Sequence, residues 1–334
     1  MALPDFVIVG APKCGTTALH VALDTHPQLF LSRNKEPKFF NADGSPPQQR
    51  GGPGDAATYA GYVWRRSDYE ALFDEAPSGT LRGESTTLYL GDHEAHDRMA
   101  ALVPHAKLVA VVRDPVDRAH SNWTHLRTAG LEPVPSFLDA CAEEPRRKAE
   151  GWGLFWRYLE LGLYGSHLEH LWSVFPREQV LVLVYRDLRE RPAETLDRVT
   201  AFLGVETGVV TALPSANVTA QVSSSSVNRA LAAAVRRAST AAPHLPGPLA
   251  GAAAAATGRL ARLLQREQQR RTPLTPEERE RLIPWFEDDI ALFERLTGIS
   301  VAHWRDPRNG TGREPLAVQR RFGTAFESID RPTG

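Results

Sequence analysis

The chain is 334 residues long, 42% hydrophobic and 24% charged, a globular composition that excludes collagenous, disordered and disulfide-scaffold classes. Lysine and arginine total 39 against 40 acidic residues, a formal net charge of −1. No global positive field therefore holds nucleic acid or an anionic membrane, and any bound anion must be met by a local cluster.

Two cysteines, Cys14 and Cys141, make no disulfide framework and suit a reducing compartment. No apolar run reaches the length of a membrane span, and the N-terminus has no basic leader. These features lead us to expect a cytoplasmic protein without stable membrane insertion. The basic residues comprise 34 arginines and five lysines, and three of those lysines (Lys13, Lys35, Lys38) fall close together. A compact ammonium is a different tool from a planar guanidinium, so the clustering points to chemistry in that stretch.

In chain order, residues 6–10 (FVIVG) form an apolar run ending in glycine, the pattern of a buried parallel strand. A helix is predicted over 15–25, stopped by His26-Pro27. Residues 44–54 are rich in Gly, Pro and Gln and suit a surface loop. Glu84 precedes Ser-Thr-Thr at a strand end, where it could cap or orient the sheet. A second buried strand is expected over 107–112, with Asp114 as N-cap and Pro115 opening a helix to Gly130. A third strand is predicted over 179–184 and a helix over 192–203, closed by Gly204. Strands alternating with helices give a three-layer α/β fold with a central parallel sheet.

Beyond Gly204 the pattern turns irregular, then Ala/Arg-rich and helical over about 227–238 and 249–271. Thr275-Pro-Glu-Glu278 is a capping box opening a helix to Thr297. The expected organisation is one domain over 1–304, with a core at 5–204, a helical cover at 205–304 and a loosely ordered tail at 305–334.

Two motifs carry chemistry. Gly10-Ala-Pro-Lys-Cys-Gly15-Thr16-Thr17 lies between strand and helix, where backbone N–H groups and the helix dipole favour a phosphate. The spacing is P-loop-like, but Thr16 stands where a nucleotide kinase needs lysine, and the lysine is instead Lys13 within the loop. Cys14 is counted with the loop's binding residues as a small filler, since no base stands beside it in sequence. The second motif runs from Arg113 through Arg118 and Ser121 to His125. Arg113 sits at a strand's carboxyl end, and the other three share one helix face, where Arg and Ser can hold a phosphate.

Together these residues resemble the sulfotransferases that use 3′-phosphoadenosine 5′-phosphosulfate (PAPS), over roughly residues 5–204. Residues 10–19 look like the family's 5′-phosphosulfate loop and 111–121 like its 3′-phosphate motif. Residues 34–40 (NKEPKFF) are similar to the segment bearing the catalytic glutamate in the carbohydrate and heparan-sulfate-type branch, and a soluble bacterial member is implied. The resemblance implies a P-loop-like fold with a C-terminal helical segment over the cleft. It gives Lys13 the phosphosulfate bridge, and Gly15, Thr16 and Thr17 the 5′-phosphate. Arg113 and Ser121 would hold the 3′-phosphate, Glu36 would be the general base, and His125 would lie near the acceptor. Relatives often carry lysine where this chain has Ser85, and they cover the donor with a loop that here falls within 217–229.

The implied reaction is sulfuryl transfer to a hydroxyl or amine of a small-molecule, sugar or lipid acceptor, releasing adenosine 3′,5′-bisphosphate (PAP). It needs no metal, and the sequence shows no metal-ligand motif. Rival readings are a P-loop nucleotide or small-molecule kinase and a non-catalytic nucleotide-binding protein. For His125, packing and function stay equally open, and Trp152, Phe155, Trp156 and Tyr158 could line an acceptor cleft or fill the core. The sequence does not fix the acceptor or the oligomeric state.

Overall fold

The computed structural model describes residues 2–47, 51–54, 58–214, 273–309 and 318–319. The segment 217–229 and the helices expected at 227–238 and 249–271 lie outside the described residues.

Apolar, largely β-branched runs form the centre of the sheet. Strands β1 (Phe6–Gly10), β4 (Lys107–Val112) and β5 (Val180–Val184) are buried along almost their whole length. Two strands join them: β2 (Leu29–Leu31) and β3 (Leu81–Ser85). All neighbours pair in parallel, in the order β2-β3-β1-β4-β5. A parallel sheet buried on both faces needs continuous apolar strands, which is why β4 and β5 were recognisable while three-residue β2 was not. Gly83 in β3 is required by packing, since a Cβ there would lie 2.2 Å from the Phe6 ring.

The helices of eight residues or more among the described residues are α1 (Thr16–Leu23), α2 (His93–Leu102), α3 (Pro115–Thr128), α4 (Tyr164–Val174), α5 (Pro192–Leu203) and α6 (Pro276–Thr297). Asp114 caps α3 by accepting from Val116 N and Asp117 N, and Pro115 supplies the preset first turn. Gly204 closes α5 in the left-handed conformation. The capping box at Thr275 and Glu278 is formed in both directions. Helix α6 packs on α4, which packs on α2. Residues beyond 304 also engage the body: Asn309 is buried against Asp114, and β7 (Val318–Gln319) pairs antiparallel with β6 (Ile299–Ser300).

This strand order has a functional consequence. β1 has β3 on one side and β4 on the other, so the chain leaves β1 at a topological switch point. In open α/β sheets, ligands bind in the crevice outside the carboxyl ends of strands at such a point. The loops after β1, β3 and β4 all open there.

Candidate active site

The turn between β1 and α1 is shaped for close approach. Ala11 N donates to Val111 O at 2.7 Å, pinning the turn to β4. Lys13 and Gly15 both adopt left-handed φ, at 68° and 84°. At Gly15 this is compounded by sterics: a Cβ would come within 2.8 Å of the Tyr185 ring. Gly15 is the N-cap of α1 and provides no side-chain cap, so the first-turn N–H groups at Thr16 and Thr17 have no capping side chain to satisfy them. The Cys14 thiol is fully buried beneath the loop, 4.0 Å from Tyr164 Oη. Burial pushes it up to about 11, against the opposing pull of Arg118 and Arg113, so it stays a neutral thiol and an inert filler.

Arg113 follows β4 directly. Its guanidinium lies over the Tyr185 ring at 5.1 Å and 3.6 Å from Asp117. Tyr185 therefore bridges the two phosphate-type motifs, touching Gly15 and carrying Arg113. Ser121 lies half-buried two turns into α3. Arg118 does not join it. That side chain is fully buried and donates to the Tyr158 carbonyl, so the shared helix face read from spacing splits into a buried arginine and half-buried Ser121 and His125.

Opposite these groups is the segment after β2. Glu36 and Lys38 are both left-handed, at φ 62° and 57°. Glu36 N donates to Ser85 O at 2.8 Å, and Lys38 N donates to Thr86 Oγ1 at 3.2 Å. The Glu36 carboxylate accepts from Lys35 Nζ at 2.9 Å and Thr87 Oγ1 at 3.2 Å. Burial tends to raise its pKa, but Lys35, Lys38 and Thr87 outweigh burial and hold it below the usual carboxylate range. The carboxylate is thus charged at neutral pH.

His125 is lowered to about 4 by burial and then by Lys13, with Glu36 pulling the other way. It is a neutral imidazole within electrostatic range of both. Residues distant in sequence are thus brought within electrostatic range of His125 near the carboxyl edge of the sheet. Sequence reasoning missed Thr87 and Tyr185, whereas the tendency of the flanking lysines to hold Glu36 ionised is legible in Lys-Glu-Pro-Lys and the Lys35 ion pair agrees with it. Thr87 follows Glu84-Ser-Thr, so a local signal existed; nothing local marks Tyr185. Ser85, standing where relatives often have lysine, pairs with His20 Nδ1 at 2.8 Å.

Of the aromatic group at 152–158, Trp156 and Tyr158 are core, whereas Trp152 and Phe155 are partly exposed and Phe155 faces the His125 ring. Among the described residues, no group of three or more His, Cys, Asp or Glu is arranged to hold a metal ion. Among the same residues, no helix is long and apolar enough to cross a membrane.

A sequence model of the sulfotransferase domain matches residues 3–230. The human bifunctional heparan sulfate N-deacetylase/N-sulfotransferase 3 is 34% identical over 215 residues, covering 61% of this chain and 22% of that protein. Human heparan sulfate glucosamine 3-O-sulfotransferase 3B1 is 33% identical over 205 residues, covering 61% of this chain and 47% of that protein. The chain thus spans less than half the length of these curated relatives. Among solved structures, a sulfotransferase from Alicyclobacillus acidocaldarius superposes with a TM-score of 0.70 at 27% identity, covering 91% of this chain and all of that one. With most of its length matched by the domain model and its fold shared with that enzyme, the chain belongs to the sulfotransferase family.

Proposed function

We propose that this chain transfers a sulfuryl group from PAPS to a hydroxyl or amine, releasing PAP. The observation that carries the reading is the switch point itself, where the Lys13 loop is pinned to β4 and the Glu36 backbone to Ser85 at the end of β3. There the Glu36 carboxylate is held ionised by Lys35 at 2.9 Å, and His125 is in electrostatic range of Lys13 and Glu36. The α1 N-terminus, with Lys13, Gly15, Thr16 and Thr17, would take the 5′-phosphosulfate, with Cys14 packed beneath it. Arg113 and Ser121 would take the 3′-phosphate. The acceptor oxygen or nitrogen attacks sulfur in line and gives its proton to Glu36, while the bond from sulfur to the 5′-phosphate oxygen breaks. Charge growing on that oxygen is met by Lys13 and the helix N–H groups. Neutral His125 would orient the acceptor by hydrogen bonding. We assign the chain to the carbohydrate-sulfating branch, on the strength of the Lys-Glu-Pro-Lys segment and its curated relatives, with a small-molecule, sugar or lipid acceptor.

The test is to incubate the protein with PAPS as sole donor and a panel of hydroxyl and amine acceptors, including oligosaccharides. Mass spectrometry should show an acceptor gaining one sulfo group, with EDTA causing little change. Transfer from ATP that magnesium restores after chelation, with none from PAPS, would put the kinase reading in its place.

A further inference from the structure

Beneath the Glu36 segment lies a carboxylate that the reaction does not use. Glu84, on β3, is fully buried, and its hydrogen-bond partners are all hydroxyls. It accepts from Tyr69 Oη at 3.1 Å and from Thr86 Oγ1 at 2.9 Å, and the Tyr89 hydroxyl bonds to it as well. Burial raises it to about 7 despite those bonds. A buried carboxylate without a cation destabilises a fold that an apolar side chain would serve better. What it does here is direct hydroxyl groups.

A threonine hydroxyl has one proton and two lone pairs. With the Thr86 proton given to Glu84, a lone pair accepts Lys38 N–H, two residues beyond Glu36. Tyr89 Oη likewise accepts Phe40 N–H at 3.3 Å. These bonds reach the backbone where Glu36 and Lys38 occupy the left-handed region, a conformation that non-glycine residues keep only where their surroundings enforce it.

We propose that Glu84 is a positioning residue: through the Thr86 hydroxyl it holds the 36–38 backbone in the conformation that aims the Glu36 carboxylate. The proposal rests on the role given to Glu36 above.

Thr86→Val removes the hydroxyl and keeps the shape, and Thr86→Ser returns the hydroxyl. The readouts are kcat and KM for PAPS with an acceptor from the panel, PAP affinity by calorimetry, and amide exchange at Lys38. Thr86→Val should lower kcat by about ten- to a hundredfold and speed Lys38 exchange by about tenfold, leaving PAP affinity within about twofold. Thr86→Ser should behave like the native protein. Glu84→Gln replaces by NH2 one of the two oxygens that accept from Tyr69 and Thr86, disturbing that hydroxyl set, and should lower kcat in the same direction. Adding Thr86→Val to it should cost little more, as for two parts of one relay. Additive losses, unchanged Lys38 exchange in Thr86→Val, or equal damage to PAP affinity and to β4 amides would overturn the proposal. Full turnover by Glu36→Gln would remove the base assignment while Lys38 exchange still decides the relay, so the two failures stay distinguishable.

Discussion

Glu36 carries opposing influences: burial that favours its protonated form, and two lysines and a threonine that favour the anion. The lysines prevail, so the carboxylate keeps its charge to the acid side of the ordinary carboxylate range. As general base it should accept a proton throughout neutral pH. Glu36→Gln should cut kcat by about 10²–10⁴-fold. PAP affinity, read by calorimetry, should hardly move, and a parallel loss would reveal a structural role. Arg113 is the complementary case, a guanidinium braced on Tyr185 and only partly exposed. Arg113→Ala and Ser121→Ala should each weaken PAP binding by about 1.5–3 kcal/mol, one charge-assisted bond, with little effect on adenosine 5′-phosphosulfate. Equal losses for the two ligands would take the 3′-phosphate away from these residues.

At the level of elements, α2 and α4 meet through four histidines. His96 Nδ1 lies 3.1 Å from His170 Nδ1, and His167 Nδ1 lies 3.3 Å from His93 Nε2. The His93 and His170 rings stack at 4.2 Å. Burial and the neighbouring imidazoles lower His96 to about 3, and His93 and His167 are lowered for similar reasons. Asp92, Asp97, Glu160 and Asp289 pull the other way on His93 or His167 without reversing the direction. A histidine depressed in the folded state binds its proton more readily when unfolded. Its stabilising contribution is complete above about pH 6.5 and falls as the pH drops toward the folded pKa. For His96 alone the loss at pH 5 is about 2 kcal/mol. His96→Asn keeps a polar atom near Nδ1 and removes the titration. Urea denaturation between pH 5 and 7.5 should therefore show a shallower pH slope for this variant, and an unchanged slope would exclude His96 as its source.

At the scale of the whole molecule, one buried arginine ties the C-terminal helix to the donor side. Arg279 on α6 pairs with Asp114 at 2.7 Å and with Asp117, and Asn309 donates to the same Asp114 oxygen at 2.6 Å. Asp114 is raised to about 6 by burial and by Asp117, with Arg279 opposing. It adjoins Arg113 and caps α3, so the clasp fixes the element that presents Ser121 and His125. Arg279→Met would leave buried Asp114 without its cation and Asp117 with Arg113 alone, and should cost about 3–5 kcal/mol at pH 8. The loss should shrink toward pH 5. Without the arginine the folded pKa of Asp114 rises further, and a raised carboxylate pKa favours the folded state at low pH. A loss independent of pH would mean that packing, rather than the buried charge, is what the arginine supplies.

The sequence by itself determined the features encoded in adjacent residues. These include the apolar runs of β1, β4 and β5, the Asp114 and Thr275 caps, the Gly204 stop and the glycine turn around Lys13. Each depends on backbone conformation or on the burial of one contiguous segment, and both can be read locally. β2, with three residues, was too short to carry a period. Arg118 was misplaced because helix spacing fixes a face and not what covers it; the Tyr158 carbonyl, forty residues on, decides that. The ionised state of Glu36, the neutral state of His125 and the reach of Lys13 and Glu36 to His125 depend on tertiary structure. Desolvation and Coulomb interactions depend on distances that parallel strand order brings about: β1, β3 and β4 open their loops at one edge because β1 lies between the other two.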